Sequence, residues 1–309
     1  MGFIDLDTLS GQSVLHKLLH YFKEHADLKK GFHITVPEVL PAETQRGETC
    51  KLKALADSMQ HAAYKARVTR PPLYKDRRYS GPSLRQLAKA NGSAIGEVYS
   101  LEMLLAICRD AGFSATTYAP FNEDEYILQI SQLVDKNLAP VVFYDLDRTP
   151  GERYGFPRIG DGSNEHGATV VAYYKTESDE TRFIVTMWGR YYDFDGMELA
   201  LSACHSLVER RTPETFVKRM DTLVGKTCWM LNEGKFSPAY LRTAPEMKPS
   251  DTPLKGKIVV ITGPQAMLAA SHSRFFPVMG ETTQPAADTS ILKPGEGRTF
   301  SSFTSPGVV

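Results

Sequence analysis

The 309 residues set 36 Lys and Arg against 36 Asp and Glu, at 42% hydrophobic and 10% aromatic content. This allows a full buried core and excludes a net field that would draw nucleic acid or an anionic membrane. Apolar runs such as residues 141–143 and 258–261 fall far short of the roughly 20 residues that cross a bilayer.

Residues 1–10, with Asp5 and Asp7 and neither a basic nor an apolar region, do not read as a signal peptide. Four scattered cysteines are too few for a disulfide scaffold or a zinc ribbon. The expectation is a cytoplasmic protein with free thiols, no cofactor, no metal, no nucleic acid and no membrane.

In chain order, Val14, Leu15, Leu18, Leu19 and Phe22 recur at helical spacing and predict an amphipathic helix over 13–28. A short strand is expected at 32–36, closed by Pro37 and Pro41, and then a polar loop over 42–49. Leu52, Leu55, Ala56, Met59, Ala62 and Ala63 then recur every three or four positions, so a helix starts at or near Cys50 with Thr49 as its N-cap. Residues 67–82, rich in Arg, Pro and Tyr, are expected as a surface excursion. Helices are predicted over 83–90, 100–111 and 126–133, the second closed by Gly112.

Beyond Asn137 the pattern changes to short β-branched and aromatic runs at 140–144, 168–174, 181–187 and 190–194. A helix over 197–207 and strands at 227–231 and 258–262 follow. The implied class is α+β, a helical half followed by a mainly antiparallel sheet. The expected organisation is a lead-in over 1–39, a catalytic domain over 40–245 and an extension over 246–309. After 280, where Thr, Ser, Pro and Gly dominate, little stable structure is expected.

The segment Gln45-Arg46-Gly47-Glu48-Thr49-Cys50 carries the chemistry. A cysteine at a helix N-terminus faces unpaired amides and the positive end of the dipole, which favour the nucleophilic thiolate. Gln45, on the entering loop, can offer its amide to a carbonyl oxygen under attack, with the Cys50 N–H as second donor. Gly47 lets the backbone turn between them. Among eight histidines, His166 is the expected base, because in Glu165-His166-Gly167-Ala168 it stands where a loop enters a strand, beside small neighbours. Taken singly, each has an ordinary reading: the cysteine as a buried hydrophobe, Gln45 as a solvated loop side chain, His166 as a satisfied surface histidine. Their conjunction points to thiol chemistry.

Four blocks in one order resemble the actin maturation protease family, C39-like papain-fold peptidases that remove the acetylated N-terminal residue of actin. The family's Gln-x-Gly-x-x-Cys and following Gly-Leu-x-Ala-Leu are similar to Gln45, Gly47, Cys50, Leu52, Ala54 and Leu55, with Lys51 in place of the glycine. Its Gly-Glu-Met-Phe-Ser resembles Gly96-Glu97-Val98-Tyr99-Ser100. Its Pro-Tyr-Asp-x-Asp resembles Phe143-Tyr144-Asp145-Leu146-Asp147, and its Trp-Asp-Tyr-Asp resembles Tyr192-Asp193-Phe194-Asp195.

Over roughly residues 40 to 240, the resemblance implies a papain-like cysteine peptidase fold. It further implies a Cys50–His166 acyl-enzyme mechanism and a protein substrate, actin or a relative. Papain-type enzymes orient the imidazole with an Asn or Asp on the next strand. Here Trp188-Gly189 resembles the end of papain's Asn-Ser-Trp-Gly, with Thr186 at the Asn position, so Asp193 is the preferred third residue, with Asp195 or a bare dyad as alternatives. A deamidase, transglutaminase or isopeptidase would share the thioester step. A non-catalytic binding module of the same fold, or an effector acting in a host cytosol, also fits these residues.

Overall fold

The computed structural model describes residues 33–34, 45–149, 151, 153–162, 164–176, 178–188, 190–206, 215–221, 225–232, 241–243 and 251–265. The helix expected at 13–28 and the tail beyond 280 lie outside them. The described elements run in the order β1 (His33–Ile34), α1 (Cys50–Ala66), α2 (Leu84–Ala90), α3 (Leu101–Asp110), β2 (Phe113–Tyr118), α4 (Glu123–Asp135) and β3 (Val141–Asp145). They continue with β4 (Glu165–Lys175), β5 (Thr181–Met187), β6 (Arg190–Asp195), α5 (Gly196–His205), β7 (Thr215–Asp221), β8 (Lys226–Leu231), β9 (Leu241–Thr243) and β10 (Ile258–Pro264).

Local chemistry sets the helix starts. Ser83 and Gln86 form a reciprocal capping box on α2, and the side chains of Ser100, Asn122 and Asp195 accept first-turn amides of α3, α4 and α5. Helix α1 differs: Thr49 stands at its N-cap without a side-chain cap, because its hydroxyl is engaged by the Tyr74 hydroxyl at 2.9 Å and the Arg46 carbonyl at 3.3 Å.

The main sheet has the order β2-β10-β3-β4-β5-β6, with β1 on β4, and every pairing in it is antiparallel. The protein is therefore α+β with a mainly antiparallel sheet. A second sheet has the order β8-β7-β9. Side chains alternate across the main sheet as the strand period of two requires. Val141, Phe143, Val259 and Ile261 pack with α1, α2 and α3 on one face. Val142, Tyr144, Ile258 and Val260 pack with α4 and α5 on the other. Both faces are covered, which is why β3 is buried along its whole length and reads as a continuous apolar run.

Residues 258–264, assigned from sequence to an extension, form the strand between β2 and β3. The run at 67–82 is also less superficial than expected: Leu73 is fully buried, and Tyr74 receives the Arg46 N–H at 2.6 Å. The excursion thus braces the loop that leads into α1.

Candidate functional site

Cys50 is the first residue of α1 and is 6% exposed. The loop before it is clamped from outside by β8. The Glu48 N–H donates to the Trp229 carbonyl at 3.3 Å, and a Cβ on Gly47, at φ 64°, would lie 2.1 Å from that same oxygen. Glycine is demanded there both by the left-handed backbone and by the missing space. Gln45 does not point at the sulfur: its Nε2 donates to the Gly47 carbonyl at 2.9 Å. The expected oxyanion donor is therefore folded back on its own loop.

His166 is the second residue of β4, where the loop enters the strand as expected, and stands opposite Tyr144 of β3. Strand alternation separates its side chain from its neighbours'. Glu165, Gly167 and Thr169 face α1: Glu165 Oε1 lies 2.8 Å from Lys51 Nζ, a Cβ on Gly167 would be 3.0 Å from the Lys51 Cα, and Thr169 Oγ1 donates to the Ala54 carbonyl at 2.8 Å. The imidazole turns to the other face, edge-on to Tyr144 at 5.9 Å and to Trp188 at 5.1 Å. Its Nε2 is buried without a hydrogen-bond partner. The Gly167 N–H, one residue on, is directed at the Cys50 sulfur. Cysteine and histidine strand therefore meet, but through the backbone, and no hydrogen bond between sulfur and imidazole is present among the described residues.

Burial governs both protonation states. It pushes the Cys50 thiol up to about 12, with the Glu97 and Glu48 carboxylates adding to the rise and Lys51 and the Gly167 amide opposing it. Burial likewise lowers His166 to about 3, reinforced by the positive charges of Lys51 and Arg148. In this arrangement the sulfur keeps its proton and the imidazole is neutral, so its vacant nitrogen is a base in waiting rather than half of a thiolate–imidazolium pair.

Asp193 does not orient His166. Its Oδ1 accepts from Arg182 Nε at 2.8 Å and its Oδ2 from the Tyr174 hydroxyl at 2.6 Å. It pairs with Ile184, which pairs with Ala172, six positions along β4 from His166, or about 20 Å at the rise of a strand. Asp195 caps α5 through the amides of Met197 and Glu198. Thr186 stands opposite Thr169, on the face of α1. The neighbours that fix the imidazole are aromatic. Trp188 stacks on Tyr154 at 5.6 Å, and Gly155 makes room for it, since a Cβ there would lie 2.8 Å from the indole. Asp145, in the block that resembles the family's Pro-Tyr-Asp-x-Asp, forms a buried ion pair with Lys255 at 3.0 Å and accepts the Gly162 N–H at 2.7 Å.

Sequence reasoning passed over Lys51 as a departure from a pattern. Its side chain is fully buried, and Nζ reaches Glu97 Oε1 at 2.8 Å, Glu165 Oε1 at 2.8 Å and the Val98 carbonyl at 2.9 Å. An ammonium has three donors, and all are used, one toward the residue that precedes His166. A lysine inside an otherwise apolar helix stripe was the available signal. Its two carboxylates, 46 and 114 positions downstream by subtraction of residue numbers, could not be paired with it from sequence. No group of His, Cys, Asp and Glu suited to hold a metal occurs among the described residues, and no described helix is long and apolar enough to cross a membrane. No model of a known protein family matches the chain, and no characterised protein matches it at a significant level.

Proposed function

We propose that the chain is a papain-like thiol peptidase with Cys50 as nucleophile and His166 as general base and acid. The observation that carries this reading is the vacant, buried Nε2 of His166 in the residue next to the amide that addresses the Cys50 sulfur. The sulfur attacks a peptide carbonyl carbon as its proton passes to His166. The C–N bond then breaks as that proton moves to the leaving amine, which leaves a thioester on Cys50. Water attacks the thioester, giving its proton to the imidazole, and the acid departs as the proton returns to sulfur. Substrate entry must open the closed site and rotate the imidazole toward the sulfur, and Gln45 must release the Gly47 carbonyl to serve the oxyanion.

The resemblance to actin-processing peptidases makes the N-terminus of actin the first substrate to offer. Mass spectrometry after incubation should show a shortened N-terminus, absent with Cys50→Ala and formed at least 100-fold more slowly with His166→Ala, in line with general acid–base contributions. A gain of about one dalton instead would indicate carboxamide hydrolysis through the same thioester. Cleavage undiminished in Cys50→Ala would overturn the reading.

A second reading, a binding module of this fold without catalysis, is favoured by the buried, protonated thiol. It is the better account if Cys50→Ala keeps every effect of the protein on its partner.

A further inference from the structure

We propose that the pocket between the loop leading into α1 and helix α2 binds a phosphate-type oxyanion bearing two or more negative charges. The cavity, about 310 Å³, is walled by Arg46, Lys75, Arg85 and Lys89 together with Tyr74 and Ser83, and no carboxylate lines it among the described residues. Four like charges around one small space repel one another, and an anion in their midst relieves them. Arg46 supplies the pointed observation. Its guanidinium lies over the Tyr74 ring at 4.5 Å, and its Nε is buried with no acceptor. A buried charged donor without a partner is a standing cost, and an oxyanion seated beside the guanidinium lowers it through its charge.

Lys75 is exposed, and the adjacent acid, Asp76, is engaged by Arg78 at 3.0 Å. Arg85 is held in advance: its Nε donates to the Ile95 carbonyl at 2.7 Å, and its stem lies across Gly96, where a Cβ would be 2.8 Å from Cγ. A planar fork fixed in this way suits the oxygens of a phosphoryl group. Charge selects among anions. A carboxylate brings one negative charge to this basic wall, whereas a phosphoryl group carries about −1.5 to −2 at neutral pH. The assignment does not depend on the thiol chemistry.

The test is a titration of the full chain with sodium pyrophosphate by calorimetry at 50 and 200 mM NaCl. Saturable binding that weakens with salt is expected, with Kd raised at least tenfold in Arg46→Gln/Lys75→Gln. A loss of about threefold is expected in Lys75→Gln alone, whose side chain is exposed and does not threaten folding. Lys175→Gln, on the β4–β5 hairpin, should bind as the parent does. A phosphoserine peptide distinguishes the source: binding equal to pyrophosphate assigns the site to a modified polypeptide, and binding of pyrophosphate alone assigns it to a free ligand. Absence of binding in the millimolar range, indifference to both substitutions, or preference for a glutamate-containing peptide over both phosphoryl ligands would overturn the proposal.

Discussion

At Cys50, burial outweighs the helix terminus. The helix end and the Gly167 amide stabilise a thiolate, but the desolvation of a 6% exposed sulfur and the nearby Glu97 carboxylate oppose them and leave the thiol at about 12. Iodoacetamide at pH 7.5 is therefore expected to modify Cys50 at least tenfold more slowly in the folded chain than in urea, measured by peptide mapping. Faster labelling in the native chain would mean that the site rests open. His166 makes a complementary statement about stability. Its folded value, about 3, lies below the usual 6.5, so the unfolded chain binds the proton first. Its contribution is complete above pH 6.5 and disappears as the pH falls through 3. A shift of that size corresponds to at most about 5 kcal/mol. Other buried groups also titrate below pH 5, so the relevant quantity is a difference: urea unfolding of the parent should lose more stability between pH 7 and pH 4 than that of His166→Gln. Equal losses would show that the imidazole is not buried in its neutral form.

At the scale of elements, α1 is anchored to β4 by charge as well as by apolar contact. Lys51 ties the helix to Glu165 on the strand and to Glu97 ahead of α3, while Gly167 allows the two backbones to approach. Lys51→Met would leave two carboxylates buried around an apolar side chain, and breaking such a set from one side typically costs about 3–5 kcal/mol. Neutralising both partners with Glu97→Gln and Glu165→Gln in the same chain should recover most of that loss in urea unfolding. If Lys51→Met alone unfolds at the parental midpoint, the triad contributes nothing to holding the helix against the strand. The starts of α2 and α3 were legible in sequence because caps act over three or four residues, as with Ser83 and Ser100, whereas α4 begins at Glu123, three residues before the expected 126, and Asp195 proved to be the cap of α5. Strand β2 escaped notice because Phe113–Tyr118 has little apolar alternation, and its pairing with β10 holds it in place.

Across the whole molecule, β10 closes the sheet. Ile258 and Val260 enter one core and Val259 and Ile261 the other, and all four are buried. At about 1.5–3 kcal/mol for each fully buried aliphatic side chain, they contribute on the order of the entire stability of a domain. A chain ending at residue 245 is therefore expected to lose cooperative unfolding, whereas one ending at 278 should keep it, as read by circular dichroism against urea. Cooperative unfolding of the shorter chain would show that β2 and β3 can close the sheet without β10.

From sequence alone came the α+β class, the helix beginning at Cys50 and most strands, because turn chemistry and periodicity are properties of neighbours along the chain. The tertiary structure alone decided which face of β4 carries the imidazole, that Gln45 bonds its own loop, that Asp193 belongs to Arg182 and Tyr174, and that β10 lies inside the sheet. These depend on pairings between residues tens to more than a hundred positions apart. A change of register by one residue reverses every facing while leaving local patterns intact.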